Sequence, residues 1–200
     1  MEGESRQARH SAATRGALIR AARRLFADNG YAGAATEEVV KRARVTRGAL
    51  YHHFRDKRDL FAAVLDEEQK KLAAKAASAA ATARDPWHAM LVAADSFLQA
   101  CLDPSVQRIV LIDAPAVLGP AQFRQADQGY YLDSLKALLR AATAQGLIDE
   151  QPVDPLAHLI FGAMHEAALL IADAEDKAAE KQAVIAVLER LLAGIRKREA

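Results

Sequence analysis

The chain has 200 residues, 52% of them hydrophobic, and 27 Lys and Arg against 26 Asp and Glu. That length buries a real core, as one domain or as a small unit joined to a larger one, and a single cysteine, Cys101, excludes an internal disulfide and fits a reducing cytoplasm. The apolar runs are short and broken by Asp, Arg or His, so no membrane-spanning segment is expected, and the polar start MEGESRQARHSAATR lacks an apolar signal core.

Charge is divided unevenly. Residues 1–60 hold 13 Lys and Arg against 7 Asp and Glu, a net of +6; the remainder holds 14 against 19, a net of −5. A basic N-terminal unit on an acidic body is the charge pattern of a nucleic-acid-binding head with a body employed differently.

Alanine is abundant and apolar residues recur at helical spacing almost throughout, without strand-like alternation, so an all-α fold is expected. Residues 1–13, with Arg6, Arg9 and His10, read as a flexible basic arm. A first helix, 14–29, lines up Leu18, Ala22, Leu25 and Phe26, and Gly30 stands where a left-handed cap belongs. A second starts at Thr36, expected as its N-cap, with Glu37 and Glu38 at its positive end, and stops by Arg44. Thr46 caps a third helix that ends near Arg55. Asp56 caps a fourth, without a breaker before Asp85 and Pro86, which at about 27 residues reaches roughly 40 Å out of the head.

In the third helix, steps of about 100° per residue put Arg47, Gly48, Tyr51, His52 and Arg55 on one arc and Leu50 and Phe54 on the other. The outward set suits an anionic, hydrogen-bonding surface such as a DNA groove; a solvated basic helix is the alternative.

Further helices are expected near 87–102, 105–112, 122–145, 154–174 and 177–198. The last two carry broad apolar stripes: Leu156, Leu159, Ile160, Ala163, Ala167, Leu170 and Ile171 on one, Val184, Leu188, Leu191, Leu192 and Ile195 on the other. Such helices pair with their own copies into a four-helix bundle, or pack only within the chain. Trp87, Met90, Phe97, Cys101, Phe123, Tyr130, Phe161 and Met164 supply either ordinary core or the lining of a cavity among the middle helices. Asp95, Asp113, His165 and Glu166 interrupt apolar stretches, to meet a ligand, solvent or a dimer seam.

A supporting helix followed by two short helices across a tight turn is a helix-turn-helix. The wording LIRAARRLFADNGYAGAATEEVVKRARVTRGALYHHFRDKRDLF, residues 18–61, with its GALYHHF core followed by Lys57 and Leu60, resembles the tetracycline-repressor (TetR) family. The resemblance implies a helix-turn-helix DNA-binding domain over 14–60 and a ligand-binding and dimerisation domain over 61–200, about nine helices in all. It also implies a homodimeric, ligand-responsive transcriptional regulator, most often a repressor, which binds a palindromic double-stranded DNA operator and is released by a small-molecule effector; by their apolar stripes, 154–174 and 177–198 are the helices expected to join the dimer. By motif position, Thr36, Thr46, Tyr51, His52 and Lys57 are implied to hold phosphates, and Arg47 and Gly48 to face base edges. Where the family usually has glycine between the two helices this chain has Arg44, which either adds a phosphate contact or stays solvated.

For the cavity, Phe97, Cys101, Asp113, Phe123, Tyr130, Phe161, Met164 and His165 are the candidate ligand contacts. No cofactor or metal is expected. The adjacent His52 and His53 diverge on a helix, and His158 and His165 lie two turns apart without a third ligand between them. No nucleophile elbow or phosphate loop suggests an enzyme. A DNA-binding dimer without a small-molecule ligand remains the alternative.

Overall fold

Leu18, Ala22, Leu25 and Phe26, spaced three or four apart, are each at most 1% exposed and turn one stripe of α1 (Glu2–Gly33) into the core. The computed structural model describes residues 2–197 of the chain; the far end expected for the last helix, at 198, lies outside them. Residues 2–13, expected as an arm, instead extend α1 toward the N-terminus. No proline interrupts them, and Ala, Arg and Gln in 6–13 favour helix. At the other end Gly30 takes φ 68°, ψ 173°, a region essentially reserved for glycine, so α1 kinks there rather than stopping.

The head is completed by α2 (Thr36–Ala43) and α3 (Arg47–His53). Its apolar residues Val39, Leu50 and Phe54 close onto α1 and onto Leu60, Phe61, Val64 and Leu65 of α4 (Lys57–Ala80). The 24 residues of α4 span roughly 36 Å. The body adds α5 (Pro86–Ala100), α6 (residues 104–118), α7 (residues 120–144), α8 (Val153–Asp173) and α9 (Lys177–Ala193). Both α6 and α7 contain a wider π-helical stretch, Gln107–Asp113 and Gln128–Leu132, in place of the plain α-helix expected.

The buried cluster runs without a break from the head through α4 to Ile109 in α6 and Ala168 and Ile171 in α8. A second cluster, with Trp87, Met90, Leu139, Ile148 and Ala157, closes the far end of the body. The tail after α9 is clipped there: Lys197 N–H donates to Leu147 O at 3.0 Å, and Ile148 forms an antiparallel bridge with Arg196.

One expectation about membranes needs correction. An 18-residue window of the 21-residue α8 has a mean hydropathy of 1.4, so the helix is long and apolar enough, by length and composition, to cross a membrane. Its Asp154, His158, His165 and Glu166 break the apolar runs without lowering the average enough. In the fold it packs against α5, α6, α7 and α9, and Ala157, Ala167, Ala168 and Ile171 are buried. Leu159 and Leu170 of α8 and Val187 and Leu191 of α9 nonetheless stay half or more exposed, an unusual density of bare apolar side chains on two helices.

Candidate nucleic-acid interface and apolar cavity

The two faces of α3 separate as the 100° spacing requires. Leu50 and Phe54 are buried, while Arg47, Gly48, Tyr51, His52 and Arg55 are exposed. The helix is held at its start by Thr46, whose Oγ1 accepts the Ala49 N–H at 3.2 Å. It ends at His53 rather than near Arg55, because Phe54 turns extended to reach the core. Arg47 lies over the Tyr51 ring, 5.6 Å from its centroid, and 3.6 Å from the Glu37 carboxylate, so the exposed guanidinium is loosely pre-positioned. His53 sits between the faces, its pKa lowered by burial and by the charges of His52 and Arg15.

Gly48 has an ordinary helical backbone, and a Cβ there would meet only Thr46 Oγ1, at 3.8 Å. Among the described residues, nothing requires a glycine at this position. Arg44 is the opposite case: φ 56°, ψ 42° make it left-handed, the one non-glycine residue with positive φ among those described. Its N–H donates to Lys41 O at 3.2 Å and that of Val45 to Val40 O at 3.1 Å, the paired bonds that usually close over a glycine. The side chain itself is exposed.

Thr36 is not the N-cap expected. Ala35 takes that place and Thr36 is the first helical residue, with its Oγ1 donating to the Glu37 carboxylate at 3.3 Å. Lys57, at the start of α4, donates to Ala32 O at 3.3 Å and stands 4.6 Å over the Tyr31 ring. Burial lowers its pKa and the Asp113 charge opposes that shift. The ammonium therefore belongs to the joint between α1 and α4.

A cavity of about 180 Å³ opens among α4, α5, α6, α7, α8 and α9. Its wall includes six of the eight candidate ligand contacts: Phe97, Phe123, Tyr130, Phe161, Met164 and His165. Two are elsewhere. Cys101 is fully buried in the core between α5 and α6, where burial pushes its thiol up to about 12. Asp113 faces the head: its Oδ2 accepts the Tyr31 N–H at 2.7 Å and lies 3.6 Å from Arg108 Nε. Of the other polar residues noted in the sequence, Asp95 lines the cavity and Glu166 does not. Among the described residues, no group of three metal-ligating side chains comes together.

Sequence reasoning missed Arg58. It donates to Val117 O at 3.1 Å, Leu118 O at 3.0 Å and Gln122 Oε1 at 2.8 Å, tying the start of α4 to the end of α6. The available signal was Gly119, which stops a helix and leaves its last carbonyls needing donors.

Residues 18–64 match the bacterial regulatory proteins of the tetR family, and residues 87–195 match a tetracyclin repressor-like C-terminal domain. The whole fold is similar to a TetR-family transcriptional regulator from Pectobacterium atrosepticum, with 36% identity and a TM-score of 0.83 over 96% of this chain and 98% of that one. An HTH-type transcriptional repressor from Mycobacterium tuberculosis is 42% identical over 67 residues, 34% of this chain and 36% of that protein. The fold is also similar, at 19% identity and a TM-score of 0.71 over 86% of this chain and 96% of that one, to the regulator FadR from Bacillus subtilis in complex with stearoyl-CoA.

Proposed function

Because this chain belongs to the TetR family of bacterial regulatory proteins, we propose that it is a homodimeric repressor which holds a palindromic operator and releases it when a small molecule fills the cavity of the body. The observation that carries this reading is the position of α4: its first turn is fixed to the head and its alanines line the cavity.

On the DNA side, Arg47 offers a bidentate donor to a base edge, and Gly48 leaves room for the backbone to enter the groove. Thr46, Tyr51 and His52 surround that point with phosphate-binding groups, backed by the amides at the start of α3. Thr36 and Lys57 flank them at two further helix starts, and the exposed Arg44 adds positive charge at the turn. Two copies joined through the bare apolar side chains of α8 and α9 present two such surfaces about one turn of DNA apart, roughly 34 Å or somewhat more.

On the ligand side, occupation of the cavity displaces the alanine-lined part of α4 and with it the head at its near end. In a dimer the two heads then change spacing, and operator affinity falls by the ligand's differential affinity for the two states, typically about 1 to 3 kcal/mol. The experiment is to map the genomic sites bound by the protein and measure affinity for one of them with and without a cavity ligand. Release supports the reading. A ligand that occupies the cavity and leaves operator affinity unchanged removes its sensory half.

A further inference from the structure

We propose that the cavity takes an uncharged aromatic molecule bearing one hydroxyl or amide group, with the His165 imidazole as its hydrogen-bonding anchor. The inference rests on the reading of the body as a small-molecule sensor and names the chemistry that the sensor reads.

The wall is almost entirely apolar, and most of its polar atoms are already engaged. The Tyr130 hydroxyl donates to the Asp66 carboxylate and that of Tyr131 to Gln69 O at 3.3 Å, both on α4, outside the lining. The two tyrosines thus contribute ring surface more than hydroxyls. Phe97 and Phe161 add rings packed against Tyr131, with centroids at 5.8 and 6.3 Å. Flat faces of this kind select a planar ring.

Charge excludes ions of either sign. Among the described residues, no lysine or arginine lines the cavity, so an anion entering it loses hydration without gaining a partner. The Asp95 carboxylate is taken by Lys181 at 2.7 Å, and Glu189 is exposed to solvent, so a buried cation gains little in return.

Ser134 also lines the wall but is exposed to solvent, which leaves His165 as the half-buried polar group. It is half-buried, with its ring 5.6 Å from that of Phe123, and neither ring nitrogen has a hydrogen-bond partner among the described residues. Burial lowers its pKa and the neighbouring Glu166 opposes that only in part, so at neutral pH the ring carries one donor and one acceptor. A hydroxyl or an amide meets either.

The test holds the ring constant and varies charge: calorimetric titration of the full chain with 2-naphthol, 2-naphthoate and 2-naphthyltrimethylammonium. Naphthol is expected to bind at least about tenfold tighter than either ion. His165→Phe should weaken it by about tenfold, the equivalent of about 1.4 kcal/mol, with an unchanged thermal unfolding curve, and His165→Gln should recover most of the loss. Equal or tighter binding of either ion, no binding of any probe at millimolar concentration, or naphthol affinity indifferent to His165→Phe would overturn the proposal. Selective naphthol binding that leaves operator affinity unchanged supports the ligand class and removes only the sensory reading.

Discussion

The carboxylate of Asp113 accepts the backbone N–H of Tyr31 at 2.7 Å, across 82 positions of sequence. Tyr31 follows the Gly30 kink of α1, and Asp113 closes the π-helical stretch of α6. Val110 and Leu111 in that same stretch line the cavity. One short segment therefore touches the cavity on one side and holds the head on the other, and Arg58 adds a second tie from α4 to the end of α6.

Asp113→Ala leaves the Tyr31 N–H in a partly buried place without its acceptor. A loss of about 1 to 2 kcal/mol is expected in urea unfolding, and Asp113→Asn, which keeps an acceptor, should lose less than half of that. Equal stability of Asp113→Ala and the parent would show that the bond contributes nothing net.

Arg47→Ala should lose base discrimination, about 1 to 3 kcal/mol per half-site for a bidentate contact, whereas Tyr51→Phe should weaken operator and random DNA alike. Competition binding on both DNAs separates the two. Equal losses on both for Arg47→Ala would reduce Arg47 to a phosphate contact.

Gly48 and Arg44 invert each other's logic. With only an ordinary van der Waals contact to Thr46 Oγ1 at its Cβ and a helical backbone, Gly48→Ala should leave folding unchanged or stabilise it by up to about 1 kcal/mol, yet weaken operator binding by crowding the groove. Arg44→Gly should relieve the left-handed strain and raise stability by about 1 kcal/mol. Unfolding curves and operator titrations of both variants check the pair; a Gly48→Ala protein that binds operator as well as the parent would contradict the close approach.

The contrast between these two positions also shows what was legible in the sequence. The apolar spacing of Leu18, Leu25, Leu50 and Phe54, together with the caps Thr46 and Asp56, is local chemistry, and it placed the head and the exposed face of α3. Arg44 was legible only as a departure from the glycine that the family resemblance implies, and its left-handed backbone came from the fold. The partners of Asp113 were not. An isolated carboxylate in an apolar stretch reads the same whether it meets a ligand or a backbone N–H from 82 residues away, and only the tertiary fold chooses between them. The same holds for Cys101, which an apolar helix places equally well in core or cavity wall. The N-terminal extension of α1 runs through a polar stretch where helix propensity, without an apolar stripe, is the one local signal.

Glu68 lies on α4, 3% exposed, with Arg23 and Lys71 each at 2.8 Å. Burial pushes its carboxyl up, but the hydrogen bonds and charges of Arg23 and Lys71 outweigh that and hold it below the usual carboxylate range. The unfolded chain then takes up the proton first as pH falls, so the stability this pair contributes is present above the ordinary glutamate pKa and is lost through the lower, folded one. Glu68→Gln should therefore be less stable than the parent at pH 7, by about 1 to 3 kcal/mol, with the difference shrinking below about pH 4. Parallel unfolding midpoints from pH 7 down to pH 3 would contradict the account.

The reading as a dimeric operator-binding protein is tested most directly by the stoichiometry and symmetry of its complex with DNA. A footprint at the strongest genomic site, combined with sedimentation of the complex, should show two chains on two inverted half-sites whose centres are about one helical turn apart or somewhat more. One chain protecting a single asymmetric half-site would contradict it.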